Sequence, residues 1–230
     1  MRLAVQPYQF KKFKYNSHYR ILKILSRANR RLRILDVGTA DGYLGAVLKA
    51  QGHWLAGVER EGESAARAKS HYDDFHYADI EKFDFPYREE FDYILFADVL
   101  EHLRDPEAVL IRSLASLKKD GEVIVSVPNI ANLAIRLSLL FGRFDYCDRG
   151  ILDRTHLRFF TLSSLERMLK NCGCDLLEVT ATPVPVQLAM PATDHKVFAP
   201  LHECHYLLVR MWQTLFAYQF VVRASPRARS

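Results

Sequence analysis

Apolar positions along this chain alternate between short continuous runs and helical spacing. Ile21, Ile24, Leu25 and Ala28 recur at three- and four-residue intervals, and Asn16 or Ser17 ahead of them supplies a cap for a first helix. An apolar run from Leu32 to Val37 follows, then a glycine-containing turn and a helical stretch from about Tyr43 to Ala50. Trp54–Val58 predicts a second strand, Ser64–Tyr72 a helix and Phe75–Ile80 a third strand. Phe91–Phe96 predicts a fourth strand, apolar enough to be covered on both faces. Asp105-Pro106 marks a helix start, because the carboxylate caps free N–H groups and proline suits the first helical position. Leu110, Leu114 and Leu117 give that helix its buried stripe, and Gly121 ends it. Glu122–Val127 is a fifth strand halted by Pro128, and Thr161 caps a helix running to Gly173. Asp175–Thr182 and Ala217–Arg223 supply the last two strands. Strands alternating with helices predict an α/β fold, a doubly wound seven-stranded sheet that is mostly parallel with right-handed crossovers.

Two stretches interrupt the alternation. Ala131–Phe144, inside an insertion spanning residues 129–160, carries Leu133, Ile135, Leu137, Leu139, Leu140 and Phe141 together with Arg136 and Arg143. It reads as a helix packed on the body, as a cover for a substrate, or as an interfacial helix against lipid. A second insertion, 183–212, is broken by Pro183, Pro185, Pro191 and Pro200 before an amphipathic helix with Leu201, Cys204, Leu208 and Met211. Both are expected to form a lid for the acceptor.

Composition narrows the class without deciding the chemistry. At 230 residues, 49% apolar and 26% charged, the chain is expected to form one domain over residues 1–230, with a helical extension over residues 1–30. No apolar run reaches the roughly 18 residues a bilayer crossing needs, and Met1–Lys14 lacks the features of a secretory signal. Cys147, Cys172, Cys174 and Cys204 form no paired knuckle, so a structural zinc site is disfavoured and reduced thiols in a cytoplasmic protein are expected. Nine Lys and Arg residues between Lys11 and Arg33 dominate the local charge within a net +5. With no aromatic-basic motif beside them they read as a solvated face, which disfavours nucleic acid and leaves peripheral membrane contact open.

In such a sheet, ligands sit beyond the carboxyl ends of the strands. The first strand runs into Asp36-Val37-Gly38-Thr39-Ala40-Asp41-Gly42, where Gly38 and Gly42 permit sharp turning. Glu59 ends the second strand about 20 residues later, placed for ribose hydroxyls. A dinucleotide loop would want a small residue where Tyr43 stands, and Asp36 and Asp41 would repel a pyrophosphate. The same acids suit a ligand with ammonium and sulfonium centres and no phosphate, which favours S-adenosylmethionine.

These segments, in this order from Leu32 to Thr161, resemble the class I S-adenosylmethionine-dependent methyltransferases. The resemblance implies the Rossmann-like sheet of that family, with its last strand antiparallel. It implies cofactor contacts from Asp36, Gly38, Thr39, Ala40, Asp41 and Gly42, although Ala40 replaces the usual second glycine. It also implies Glu59 as the ribose acid, Asp79 and Ile80 at the adenine, and Ala97 beside the methyl-transfer site. The stretch Gly150–Thr161 is similar to small methyltransferases of glycan and secondary-metabolite assembly and, in outline, to ubiquinone-biosynthesis O-methyltransferases. More distantly it resembles enzymes that methylate the terminal ribose of small RNAs.

Transfer to a hydroxyl needs a nucleophile held close and a destination for its proton, which a histidine supplies near neutral pH. His102 and His156 are the candidate bases, each also open to a metal or structural role; Arg154 and Arg158 are candidate contacts for an anionic acceptor group. Asp98, Glu101 and His102, spaced to share one helical face, suggest a divalent-metal alternative built from Glu101, His102 and His156. The expected function is O-methylation of a small-molecule or glycan acceptor. RNA ribose methylation and a non-catalytic cofactor-binding module are the alternatives, and the oligomeric state stays open.

Overall fold

The computed structural model describes residues 16–184 and 199–227. The strands are β1 (Arg33–Val37), β2 (Trp54–Glu59), β3 (Asp74–Tyr77), β4 (Phe91–Ala97), β5 (Leu117–Pro128), β6 (Cys174–Thr182) and β7 (Gln219–Pro226). The helices are α1 (Ser17–Leu25), α2 (Tyr43–Ala50), α3 (Gly62–Ala68), α4 (Pro106–Ser113), α5 (Leu133–Leu140), α6 (Leu162–Asn171), α7 (Ala199–Met211) and α8 (Gln213–Phe216). The strands form one sheet in the order β3-β2-β1-β4-β5-β7-β6. The first five pair in parallel, and β7 enters between β5 and β6 antiparallel to both.

Side-chain caps account for the main helix starts. Asn16 accepts the Tyr19 N–H at 2.6 Å, Asp105 accepts that of Ala108 at 3.0 Å, and Thr161 and Ser164 form a reciprocal box. The central strands read as nearly unbroken apolar runs because both faces are covered. Ile34, Leu95, Ile124 and Val221 pack with α1 and α2 through Ile21, Leu25, Leu44 and Leu48. Leu35, Ile94, Phe96, Val125 and Val222 join Leu110 and Leu165 on the opposite side. The two-residue period of the strands thus divides one sheet between two cores.

The structure corrects several boundaries. β3 stops at Tyr77, three residues early, because Asp79 turns the chain: its carboxylate accepts the Glu81 N–H and its carbonyl the Lys82 N–H. α4 closes at Ser113, whose hydroxyl donates to the Leu110 carbonyl, and β5 begins at Leu117. Gly121 therefore lies within a strand, where a Cβ would come within 2.9 Å of the Phe91 carbonyl. α7 is present, but Cys204, Leu208 and Met211 are exposed while Val209 is buried, so the expected apolar stripe is not its packing face. Pro185 and Pro191, and the N-terminal extension before Asn16, lie outside the described residues. Among the described residues no helix is long and apolar enough to cross a membrane.

Candidate active site

The chain leaves β1 outward to β2 and β3, then returns to β4 on the other side, which puts the change of direction between β1 and β4. A ligand crevice in an open α/β sheet opens at that point. Its walls here are the loop from Gly38 to Gly42 and the turn after Ala97.

The first loop is held by backbone and carboxylate together. The Gly38 and Thr39 N–H groups donate to the Val58 carbonyl at 2.9 and 3.3 Å. Gly38, Ala40 and Gly42 all take positive φ (78°, 44° and 77°). Ala40 thus occupies a left-handed position that glycine adopts without strain. Glu59 sits against the loop: one oxygen accepts the Ala40 N–H, the other those of Arg60 and Glu61, each at 2.8 Å. Asp79 lies at the base of the β3 turn, and Ile80 anchors that turn in the core.

The two loop acids have structural partners. Asp41 is engaged by Ser64 at 2.8 Å and by Arg67, so α3 is tied to the loop through it. Asp36 is buried and accepts the Tyr72 hydroxyl at 2.6 Å. Burial pushes its carboxyl up from 3.8 to about 6, with the Tyr72 hydrogen bond pulling the other way. Because the folded value exceeds the unfolded one, ionising Asp36 opposes folding; that effect is absent below pH 3.8 and complete above about pH 6. Wild-type stability should therefore fall by about 3 kcal/mol relative to Asp36→Asn between pH 3.8 and 7. Denaturant unfolding of both proteins across that range checks this, and a difference independent of pH would refute it.

The second wall is built on Asp98, which adopts φ 58° directly after β4. Its carboxylate accepts Ser126 Oγ at 2.5 Å, Gln219 Nε2 at 3.1 Å and Ser17 Oγ at 3.5 Å. Burial holds the neighbouring His18 imidazole below its usual pKa, with Asp98 opposing. Ser17, His18, Ser126 and Gln219 carry no local motif; only the tertiary fold gathers them. The expected one-faced helical triad of Asp98, Glu101 and His102 is not formed. Residues Leu100–His102 make a single 3-10 turn, and Asp98 faces β5 and β7 instead.

Glu101, His102 and His156 do converge, each offering an atom within 4.8 Å of the others. The two imidazole rings lie 4.8 Å apart, centroid to centroid. His102 Nδ1 lies 3.2 Å from the Thr155 carbonyl and 3.1 Å from the Thr155 hydroxyl, which donates its own proton to Asp153, so Nδ1 is the donor; His156 Nδ1 donates to the Ile151 carbonyl at 3.0 Å. A carbonyl can only accept, so each neutral ring keeps its lone pair on Nε2. Burial also holds His156 below its usual pKa. Glu101 is 1% exposed, and neither carboxylate oxygen has a hydrogen-bond partner. Burial and the nearby Asp98 raise its pKa well above the carboxylate range. Arg154 pairs with Asp148 at 3.2 Å and Arg158 donates to the Arg104 carbonyl, so both flank His156 while engaged elsewhere. Ala97 ends β4 opposite Ser126.

A methyltransferase-domain family model matches residues 12–179. A ubiquinone biosynthesis O-methyltransferase of Rhodopseudomonas palustris is 27% identical over 184 residues, covering 77% of this chain and 70% of the relative. The enzyme of the same description from Bradyrhizobium diazoefficiens is 36% identical over 157 residues, covering 65% of this chain and 60% of its own length. A crystal structure of magnesium protoporphyrin IX methyltransferase from Synechocystis superposes with a TM-score of 0.62 at 13% identity, over 91% of this chain and 82% of that one.

Proposed function

The chain belongs to the class I S-adenosylmethionine-dependent methyltransferases, and from that premise we propose that it methylates a hydroxyl oxygen of a small hydroxylated or glycan-type acceptor. The observation that carries this reading is the histidine pair, whose Nδ1–H groups are committed to carbonyls and whose Nε2 lone pairs are available for a proton. The relatives named O-methyltransferases support it from outside the chain.

The residues fit the cofactor. No lysine or arginine stands between Gly38 and Gly42 to meet a phosphate, and Glu59 Oε2, which accepts only the Ala40 N–H, retains a lone pair for a ribose hydroxyl. When bound, S-adenosylmethionine supplies an activated methyl carbon, so the chain's own tasks are positioning and proton removal. His156 or His102 would take the acceptor's hydroxyl proton on Nε2. Arg154 and Arg158 would hold an anionic group of the acceptor at the rim. Incubating the protein with labelled S-adenosylmethionine and matched phenol, sugar and amine acceptors tests the assignment; label on the amines alone would overturn it.

Glu59 also tests the cofactor assignment. Glu59→Gln removes its charge and one acceptor oxygen, and its NH2 would face a backbone N–H in either orientation, so the loop is loosened along with the ribose contact. Affinity for S-adenosylhomocysteine should fall by about 1–3 kcal/mol, read by calorimetry. Unchanged affinity would remove Glu59 from the ribose site.

The unpartnered Glu101 carboxylate favours a second reading in which Glu101, His102 and His156 hold a divalent cation. Two Nε2 lone pairs and a buried carboxylate are a donor set suited to Mg²⁺, Mn²⁺ or Zn²⁺. A cation there would supply Lewis acidity toward the acceptor hydroxyl. Elemental analysis with chelation and readdition distinguishes the two: turnover indifferent to chelation, with no metal bound, leaves the histidines as bases alone.

A further inference from the structure

Helix α5 contributes no buried residue. Leu140 and Phe141 are 77% and 76% exposed, and Leu137, Leu139, Phe144 and Tyr146 continue the apolar surface. A leucine-rich helix outside the core is unusual, since apolar side chains on a helix ordinarily face the body of the protein. We propose that α5 and the segment following it, through Tyr146, dock on the surface of a lipid bilayer carrying anionic headgroups.

Charge and placement select that occupant. From Leu133 to Phe144 the charged residues are Arg136 and Arg143, with no acid among them. Apolar and aromatic side chains between basic ones are what an interfacial helix presents, the apolar part entering the acyl boundary and the cations meeting phosphates. Asp145, between Phe144 and Tyr146, is the one acid of the docking segment and leaves it net positive, and Asp148 beyond it is paired with Arg154. At eight residues, or about 12 Å, α5 is far too short to span a membrane. Trp212 and Met211, also exposed, leave the same corner of the sheet: the Asn132 amide at the start of α5 donates to the Ala217 carbonyl just after α8. Trp is a residue that settles at the headgroup level.

The surface is also continuous with the site. Phe144 packs against Phe159 at 5.8 Å, Phe159 lies 6.3 Å from His156, and His156 neighbours His102. An aromatic row thus runs from the exposed patch to the two imidazoles, placing the cleft next to the bilayer when the patch is seated.

Flotation of the full chain with vesicles of phosphatidylcholine, with and without phosphatidylglycerol, tests the proposal without reference to catalysis. Binding should require the anionic lipid and weaken with salt. Leu140→Asp/Phe141→Asp should reduce it at least about tenfold at unchanged Tm, since both side chains are already exposed. Arg136→Gln and Arg143→Gln should each weaken it about fivefold. Equal flotation of wild type and the Leu140/Phe141 variant would overturn the proposal. So would a wild-type dimer in sedimentation that this variant dissolves, because the patch would then belong to a second copy of the chain.

Discussion

Replacing His156 with alanine should lower turnover by about 10²–10⁴-fold while leaving cofactor affinity nearly intact. His156 lies outside the glycine loop and the Glu59 carboxylate, on the connection between β5 and α6. Its Nδ1–H is fixed on the Ile151 carbonyl, and burial keeps the ring neutral near pH 7. Alanine removes packing as well as the base, so His156→Asn is the sharper variant. Its amide nitrogen can replace Nδ1 toward Ile151, but it offers nothing at Nε2. Equal losses in both variants, expressed in kcat, assign the effect to Nε2. Recovery of turnover in His156→Asn, or normal turnover and acceptor affinity in His156→Ala, would make the residue structural. The same substitution at His102 adds a test of joint action, since residues serving one step give losses that do not sum.

The second large effect falls on the fold as well as the cofactor. Gly38→Val should destabilise the protein by about 2–5 kcal/mol and remove cofactor binding in whatever remains folded. A Cβ at Gly38 would stand 2.7 Å from Val99 Cγ2, and the residue's φ of 78° penalises any branched side chain. Overpacking contributes about 1–3 kcal/mol and the left-handed backbone about 1–2 kcal/mol. The two parts can be separated with a smaller intruder: Gly38→Ala should be partly rescued by Val99→Ala, which opens the space but leaves the backbone strain. Chemical denaturation of the single and double variants measures the coupling, and strict additivity would remove Val99 from the account. Glycine is required here for the meeting of the β1 and β4 loops, before any ligand is considered.

That distinction shows where sequence reasoning stopped. The strands were legible because two-sided burial leaves long apolar runs, and the caps at Asn16, Asp105 and Thr161 announce their helices locally. The end of β3 and the start of β5 were less legible: Ala78 and Ile80 look like strand residues although they close a turn, and Lys118 to Gly121 look like the end of a helix although they open a strand. The convergence of Glu101, His102 and His156 was available from motif and spacing, but by way of an α-helical face shared with Asp98 that does not form. The polar cluster around Asp98 had no sequence signal, because Gln219 comes from 121 residues away and Ser17 from 81. The exposure of α5 was equally hidden, since leucine content alone does not say which surface a helix meets.

The asparagine pair at the end of β5 sets a rule for engineering. Asn129 and Asn132 both donate side-chain amides at 2.9 Å to the Ala217 carbonyl, and Asn129 also reaches the Thr214 carbonyl. One carbonyl just after the second inserted segment thus accepts twice from the root of the first, although the two are remote along the chain. A chimera that grafts a relative's α5 region without its matching segment before β7 would strand two buried amides. Exchange of the α5 region therefore has to treat residues 129–132 and 214–217 as a single cassette.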